Sequence, residues 1–187
     1  MKKIKVYIAG KISATNSVYN KKEWRDIFCK KIEKISNFKI INLDPNKYHS
    51  DFDLDRANAE LVFGRDCFLI KSSDVVIVNL TDDISVGGSQ EMLIAKYYNK
   101  PLIGIAPTGG KFVKKEKKTK ERIYKNYTHA FVKIPCDVIV ENIDEAAKVL
   151  PKFFDKKQEV KTLKIIDTYV QKYKEKYLPN DTIWHNL

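Results

Sequence analysis

Residues 62–105 read VFGRDCFLIKSSDVVIVNLTDDISVGGSQEMLIAKYYNKPLIGI. The stretch runs as helix, buried strand, polar loop, helix, buried strand. Val75–Leu80 and Leu102–Ile105 are short apolar runs rich in branched residues, the pattern of strands covered on both faces of a parallel sheet. Between them a loop after Leu80 ends in Gly87-Gly88-Ser89, where a second helix is expected to begin with Glu91 in its first turn. In open α/β sheets ligands bind beyond the carboxyl ends of the strands, and Glu91 belongs at that edge.

The first helix of the stretch carries a second carboxylate. Ala59, Val62, Phe63, Leu69 and Ile70 recur at spacings of three and four and make one apolar stripe. Asp66 lies within it, four residues from both Val62 and Ile70. A carboxylate on a core-facing stripe costs several kcal/mol unless it is paired, protonated or facing a cavity. The plainer alternative puts Asp66 at the stripe's margin, paired with Arg65 or a lysine. Glu91 also has a plain alternative. With Gly88 or Ser89 as the helix cap, a first-turn glutamate serves the helix dipole or a capping box.

A chain of 187 residues with 43% hydrophobic and 11% aromatic content is long enough for one domain, burying roughly 70% of its unfolded surface. The opening MKKIKVYIAG has too short an apolar stretch for a signal peptide. No run approaches the ~20 residues that span a bilayer. Cys29, Cys67 and Cys136 are widely spaced, without a CxxC pair or partner histidines. Reduced thiols in a cytoplasmic protein are therefore expected, with no metal site, no cofactor and no membrane partner. The net charge of +11 comes mostly from lysines spread over every helix, unlike the concentrated arginine and aromatic surface of a nucleic-acid reader, so nucleic acid is not the expected partner. Only 111–125, KFVKKEKKTKERIYK, is dense. It reads as a solvated, mobile excursion, or as an electrostatic lure for an anionic substrate such as a nucleotide.

The remaining elements fall on either side. Ile4–Ala9 is strand one, at the sheet centre, followed by the turn Gly10-Lys11-Ile12-Ser13, whose N–H groups suit a ligand. Its spacing matches neither a dinucleotide fingerprint nor a Walker lysine. Ser17 or Asn20 caps a helix with Trp24, Ile27, Phe28, Ile32 and Ile35 as its stripe, and Phe38–Leu43 is strand two. The loop 44–54, DPNKYHSDFDL, with His49, lies over the site or on the surface. Beyond the stretch come a basic excursion over 108–135, a short strand at Asp137–Val140 and a helix faced by Ile143, Ala146, Ala147, Leu150, Phe153 and Phe154. A C-terminal extension over 155–187 carries a last helix, from about Glu159 to Tyr177. Its stripe of Leu163, Ile166, Tyr169, Val170, Tyr173 and Tyr177 must pack on the sheet's helices or on another subunit. The expected fold is a single-domain α/β three-layer sandwich, flavodoxin- or Rossmann-like, with five parallel strands in the order 2-1-3-4-5 and an extra C-terminal helix.

Three segments in this order, YIAG, FGRDCFLIKSSDVVIVNL and SVGGSQEMLIAKYYNKPLIGI, resemble the nucleoside 2-deoxyribosyltransferase superfamily over roughly residues 4–106. The resemblance implies cleavage of the N-glycosidic bond of a 2-deoxynucleoside or its 5′-monophosphate. It makes Glu91 the nucleophile, Asp66 the acid near the leaving base, and Tyr7 the group that orients the nucleophile. It also implies a homodimer or larger homo-oligomer. The chemistry fits the residues: cleavage passes through an oxocarbenium-like state, one carboxylate attacks the anomeric carbon, and a second group protonates the departing base. Apolar surroundings would raise the pKa of Asp66 and keep it a proton donor.

Within that superfamily, transferases acting on free nucleosides carry aspartate six residues before the nucleophile, and the 5′-monophosphate N-glycosidases carry serine; here that position is Ser85. By this resemblance Ser85 and the N–H groups of Val86–Ser89, with Gly87 and Gly88 between them, take a phosphate at the helix start, and Gly10 and Lys11 complete the binding set. Lys11 departs from the small residue of the hydrolase relatives, and the region after Gly110 departs from their phosphate-contacting segment. Hydrolysis of a deoxynucleoside monophosphate is the leading expectation. Base exchange between deoxynucleosides, a non-catalytic nucleotide sensor on the same fold, and an NAD-cleaving glutamate enzyme are the alternatives.

Overall fold

The computed structural model of the chain describes residues 1–10, 23–47, 55 and 57–184. Five strands form one parallel sheet: β1 (Lys3–Ala9), β2 (Lys39–Asn42), β3 (Val75–Asn79), β4 (Leu102–Ile105) and, after a separate hairpin of β5 (Val113–Lys118) and β6 (Ile123–Thr128), β7 (Val138–Val140). The order β2-β1-β3-β4-β7 is the expected 2-1-3-4-5 when the sheet's own strands are counted along the chain. β3 is the middle strand; β1, expected at the centre, is second in the sheet, between β2 at the edge and β3, and pairs with β3 from Val6↔Val75 to Ala9↔Val78.

Strand alternation sorts the core into two layers. Ile4, Val6, Ile8, Val75, Ile77, Ile103 and Ile105 pack against α1 (Trp24–Ser36) and α5 (Ile143–Phe154). Tyr7, Ala9, Val76, Val78 and Leu102 face the other way, against Ile70 of α2 (Ala59–Ser72) and Met92 and Ala95 of α3 (Val86–Tyr97). Each fully buried aliphatic side chain contributes roughly 1.5–3 kcal/mol. The face expected of α5 is buried at Ile143, Ala146, Ala147, Leu150 and Phe153.

Several expectations from periodicity need correction. On α1, Trp24, Phe28 and Ile32 are buried, but Ile27 and Ile35 are largely exposed; Arg25, Cys29 and Ser36 take their places. The buried row includes polar residues, which an apolar pattern cannot see. Ser17 and Asn20 lie outside the described residues, and α1 is described from the cap position Glu23. On α2 only Ile70 is fully buried, and Phe63 is 59% exposed. Leu69 packs beside Ile70 on the core, whereas Ala59, Val62 and Phe63 line a groove between α2 and α3.

The basic stretch is neither loop nor coil. β5 and β6 pair antiparallel from Val113↔Thr128 to Lys118↔Ile123, with Lys117 over the Tyr127 ring. A run of lysines on both faces of β5 hides the period of two. The ribbon is rooted by buried Phe112, whose carbonyl accepts from His129 N–H, and is followed by the short α4 (Ala130–Lys133).

The last helix, α6, spans Ile165–Lys176 and starts later than expected. Val160 packs on the core, while Lys161 gives its N–H to Asp137 Oδ1 and its ammonium to Ile134 O. Those bonds hold the chain extended where a helix would need the same groups. Asp137 also pairs with the fully buried Lys96. The stripe of α6 does not pack on the sheet's helices: Ile166, Tyr169, Val170, Tyr173 and Tyr177 are all exposed.

Candidate active site

The carboxyl ends of β1 and β3 meet the starts of α1 and α3 in a cavity of about 310 Å³. Among the described residues its walls include Gly10, Arg25, Pro45, Asn46, Arg65, Asp66, Ser85, Gly87 and Glu91. A second cavity of about 340 Å³ lies between α2 and α3. It shares Val62, Asp66, Gly87 and Glu91 with the first and adds Ala59, Phe63 and Ile94. The two carboxylates singled out from the sequence therefore stand where a polar and an apolar lobe join.

The start of α3 differs from expectation in a way that bears on Glu91. The helix begins at Val86, and Ser85 is its cap, accepting the Gly88 N–H at 3.1 Å. A Cβ on Gly88 would lie 3.2 Å from Ser85 Oγ and 3.1 Å from Ile84, so glycine there lets the cap close. Glu91 is then in the second turn, and the first turn holds no acid. The capping-box and dipole explanations no longer account for it.

Glu91 instead accepts from the Tyr7 hydroxyl at 2.9 Å. Tyr7 is fully buried on β1, its ring packed in the layer under α2 and α3. Burial raises the Glu91 carboxyl; the Tyr7 hydrogen bond opposes this, Asp66 adds to it, and Arg25 opposes it. Burial likewise raises Asp66, against the pull of Arg65 and Arg25. The Tyr7 phenol is held far above its usual range by burial and then by Glu91 and Asp66, so it stays a donor. The set is two carboxyl groups, both raised by burial, of which Glu91 has one oxygen held by the Tyr7 hydroxyl.

Of the other residues named from the sequence, Gly10, Ser85 and Gly87 line the cavity. Gly88 gives its N–H to Ser85, and Ser89 turns to an apolar groove bounded by Leu93, Phe131 and Ile166. Lys11 and His49 lie outside the described residues. Asp66 is half-buried and lines the cavity, with no ion pair among the described residues. Sequence reasoning missed Arg25 and Arg65. Arg65 donates to the carbonyls of Pro45 and Lys47 and closes one side of the cavity. The signal available for Arg25 was its place on the α1 stripe beside Trp24.

No family model and no curated protein matches the chain. Solved structures do. A conserved protein from Enterococcus faecalis V583 overlays with a TM-score of 0.55 at 13% identity, covering 80% of this chain and 98% of that one. At that identity the likeness is one of fold. Weaker overlaps are found with the 2-deoxyribosyltransferase of Bacillus psychrosaccharolyticus (TM-score 0.48, 15% identity, 76% of this chain and 90% of that one). Another is with the CMP N-glycosidase of Clostridium botulinum (TM-score 0.42, 14% identity, 79% and 98%). The chain is an α/β three-layer sandwich, the fold it shares with the Enterococcus protein. Among the described residues, no helix is long and apolar enough to cross a membrane.

Proposed function

We propose that the chain hydrolyses the base–sugar bond of a 2′-deoxynucleoside 5′-monophosphate. The observation that carries this reading is the Tyr7–Glu91 hydrogen bond at a cavity that Asp66 shares. One Glu91 oxygen attacks C1′ as the C1′–N bond breaks; the bonding pair leaves with the base, which takes the Asp66 proton. Asp66, now a base, draws a proton from water, which attacks C1′, frees Glu91 and yields deoxyribose 5-phosphate.

The two lobes suit the two ends of that substrate. Val62, Phe63 and Ile94 offer the base an apolar surface next to Asp66. Ser85 uses a lone pair on Gly88 and keeps its proton to donate, beside the first amides of α3, where an anion is favoured. The basic β5–β6 ribbon is tied to the loop before α3 by Lys111–Asp83 at 2.7 Å, and its field would draw an anionic substrate toward this edge.

We also infer self-association. Leu93, Tyr97, Phe131 and the α6 stripe are exposed apolar side chains, which a second copy could cover, and sedimentation velocity would read the resulting mass. The test of the reaction is incubation with a panel of ribo- and deoxynucleotides, with and without an acceptor base, followed by chromatography. Free base from deoxynucleotides without acceptor supports the proposal. Base exchange only with acceptor, or a bound nucleotide left intact, overturns it in favour of a transferase or a sensor.

A further inference from the structure

Arg25 sits on the buried row of α1 and is 3% exposed. Its Nε donates to Ile8 O at 2.9 Å and its Nη2 to Gly10 O at 3.0 Å. Both carbonyls lie at the carboxyl end of β1, where pairing with β3 stops at Ala9. Nη1 faces buried Asp44, just past β2, at 3.9 Å. The guanidinium stacks 4.4 Å from the Trp24 ring centroid, and the residue still lines the cavity that holds Asp66 and Glu91.

Packing alone does not call for a cation here. A buried charge is costly, and an apolar side chain of similar size is often as good or better for stability. The Asp44 contact is too long for a close ion pair, so the charge is only partly answered. What the guanidinium does have is reach. Its charge bears on Tyr7, on Asp66 and on Glu91. Arg65, the other arginine at the cavity, bears on Asp66 and spends its donors on Pro45 and Lys47.

We propose that Arg25 is a positioning residue of the site, clamping the end of β1 beneath the cavity and setting a positive charge in the wall that it shares with Glu91. The role in turnover rests on the glycosidic reading above; the electrostatic role does not. Glu91 is faced by Tyr7 from β1, Arg25 from α1 and Asp66 from α2, with Arg65 and Cys67 of α2 in the same walls. Burial works against its ionised form, the Tyr7 bond for it, Asp66 against it and Arg25 for it. Taking Arg25 away therefore leaves Tyr7 alone against burial and Asp66.

Clamp and charge separate by substitution. Arg25→Lys keeps a cation but loses the planar fork that spans two carbonyls. Arg25→Met loses both, and Arg25→Met/Asp44→Asn removes the charge without leaving Asp44 buried and unpaired, should the single variant fold poorly. Glu91 is followed directly by ¹³C NMR titration of its carboxyl, assigned by comparison with Glu91→Gln, in parallel with the pH profile of kcat/KM. The Met variants should titrate Glu91 at a higher pH than the wild type, with the acid limb of the profile moving the same way. The Lys variant should keep the wild-type limb but show a several-fold higher KM. A Glu91 titration unmoved in both Met variants overturns the proposal, as does a Lys variant that shifts as far as Met. A wild-type chain that releases no base counts against the glycosidic reading instead, because the NMR titration does not depend on turnover.

Discussion

The Tyr7 hydroxyl donates to Glu91 Oε1 at 2.9 Å, joining residues 84 positions apart in the chain. Tyr7 is held by β1, inside the sheet, and Glu91 by the helix that follows β3, so the bond ties two elements that the closed fold brings together. It occupies one carboxylate oxygen, leaves the other to attack, and favours the ionised form. Tyr7→Phe should therefore lower kcat/KM about 10–100-fold, the worth of a hydrogen bond to a charged group. It should also move the acid limb of the pH profile upward, because the bond it removes lowers the Glu91 pKa. Steady-state kinetics from pH 4 to 9 would show both, and an unchanged limb would mean that Tyr7 only fills space.

Glu91 also carries a stability signature. Its carboxyl is raised in the folded chain, chiefly by burial, so the fold holds that proton more tightly than the unfolded chain does. The fold is at its best, for this group, below the unfolded pKa of about 4.3, and loses stability as pH rises through the folded value. Glu91→Gln escapes that loss. Its melting temperature should match the wild type near pH 4 and exceed it increasingly toward neutral pH. A constant difference across pH would show that Glu91 is not destabilised by ionising.

Asp66→Asn tests the proton donor. The substitution keeps the volume, removes a carboxyl raised by burial, and so should leave stability level or higher at pH 7. The chemical step should slow about 10²–10⁴-fold, the usual contribution of a general acid. A substrate whose base leaves without protonation should recover much of the loss. Full activity, or inactivity explained by unfolding, would remove Asp66 from the mechanism.

Ser85 has two duties that one substitution separates. It caps α3 through Gly88 and stands at the proposed phosphate site. Aspartate caps a helix as well as serine does, so Ser85→Asp keeps α3 while adding a negative charge. The preference for deoxynucleotides over the matching nucleosides, measured as a ratio of kcat/KM, should fall at least about tenfold. Ser85→Ala should instead cost about 1 kcal/mol of stability from the lost cap. A ratio unchanged in Ser85→Asp would move the phosphate elsewhere.

The strand runs around Val75–Leu80 and Leu102–Ile105 were legible because buried parallel strands are apolar on both faces, and nothing else that short is. The two carboxylates were legible for different reasons, Asp66 by interrupting an apolar pattern and Glu91 by following a glycine loop. Arg25 was not, because its purpose depends on Ile8 O and Gly10 O, which only the closed sheet brings within 3.0 Å. The β5–β6 ribbon was read as loose chain because paired lysines, Lys114-Lys115 and Lys117-Lys118, carry no alternating apolar signal, although the backbone pairs from Val113 to Lys118. The start of α3 was placed late because the glycine pair drew the cap to Gly88 or Ser89, whereas Ser85 is the cap. The choice was made by Gly88, whose missing Cβ admits the Ser85 hydroxyl.

The central claim is that Glu91 forms a covalent bond to the sugar. It is tested most directly by intact-mass spectrometry of the chain, acid-quenched during turnover of a deoxynucleoside monophosphate. The wild type should show a fraction heavier by one deoxyribosyl phosphate residue, mapped by proteolysis to the peptide containing Glu91 and absent from Glu91→Gln. Base release at the wild-type rate by Glu91→Gln, or an adduct on any other residue, would contradict it.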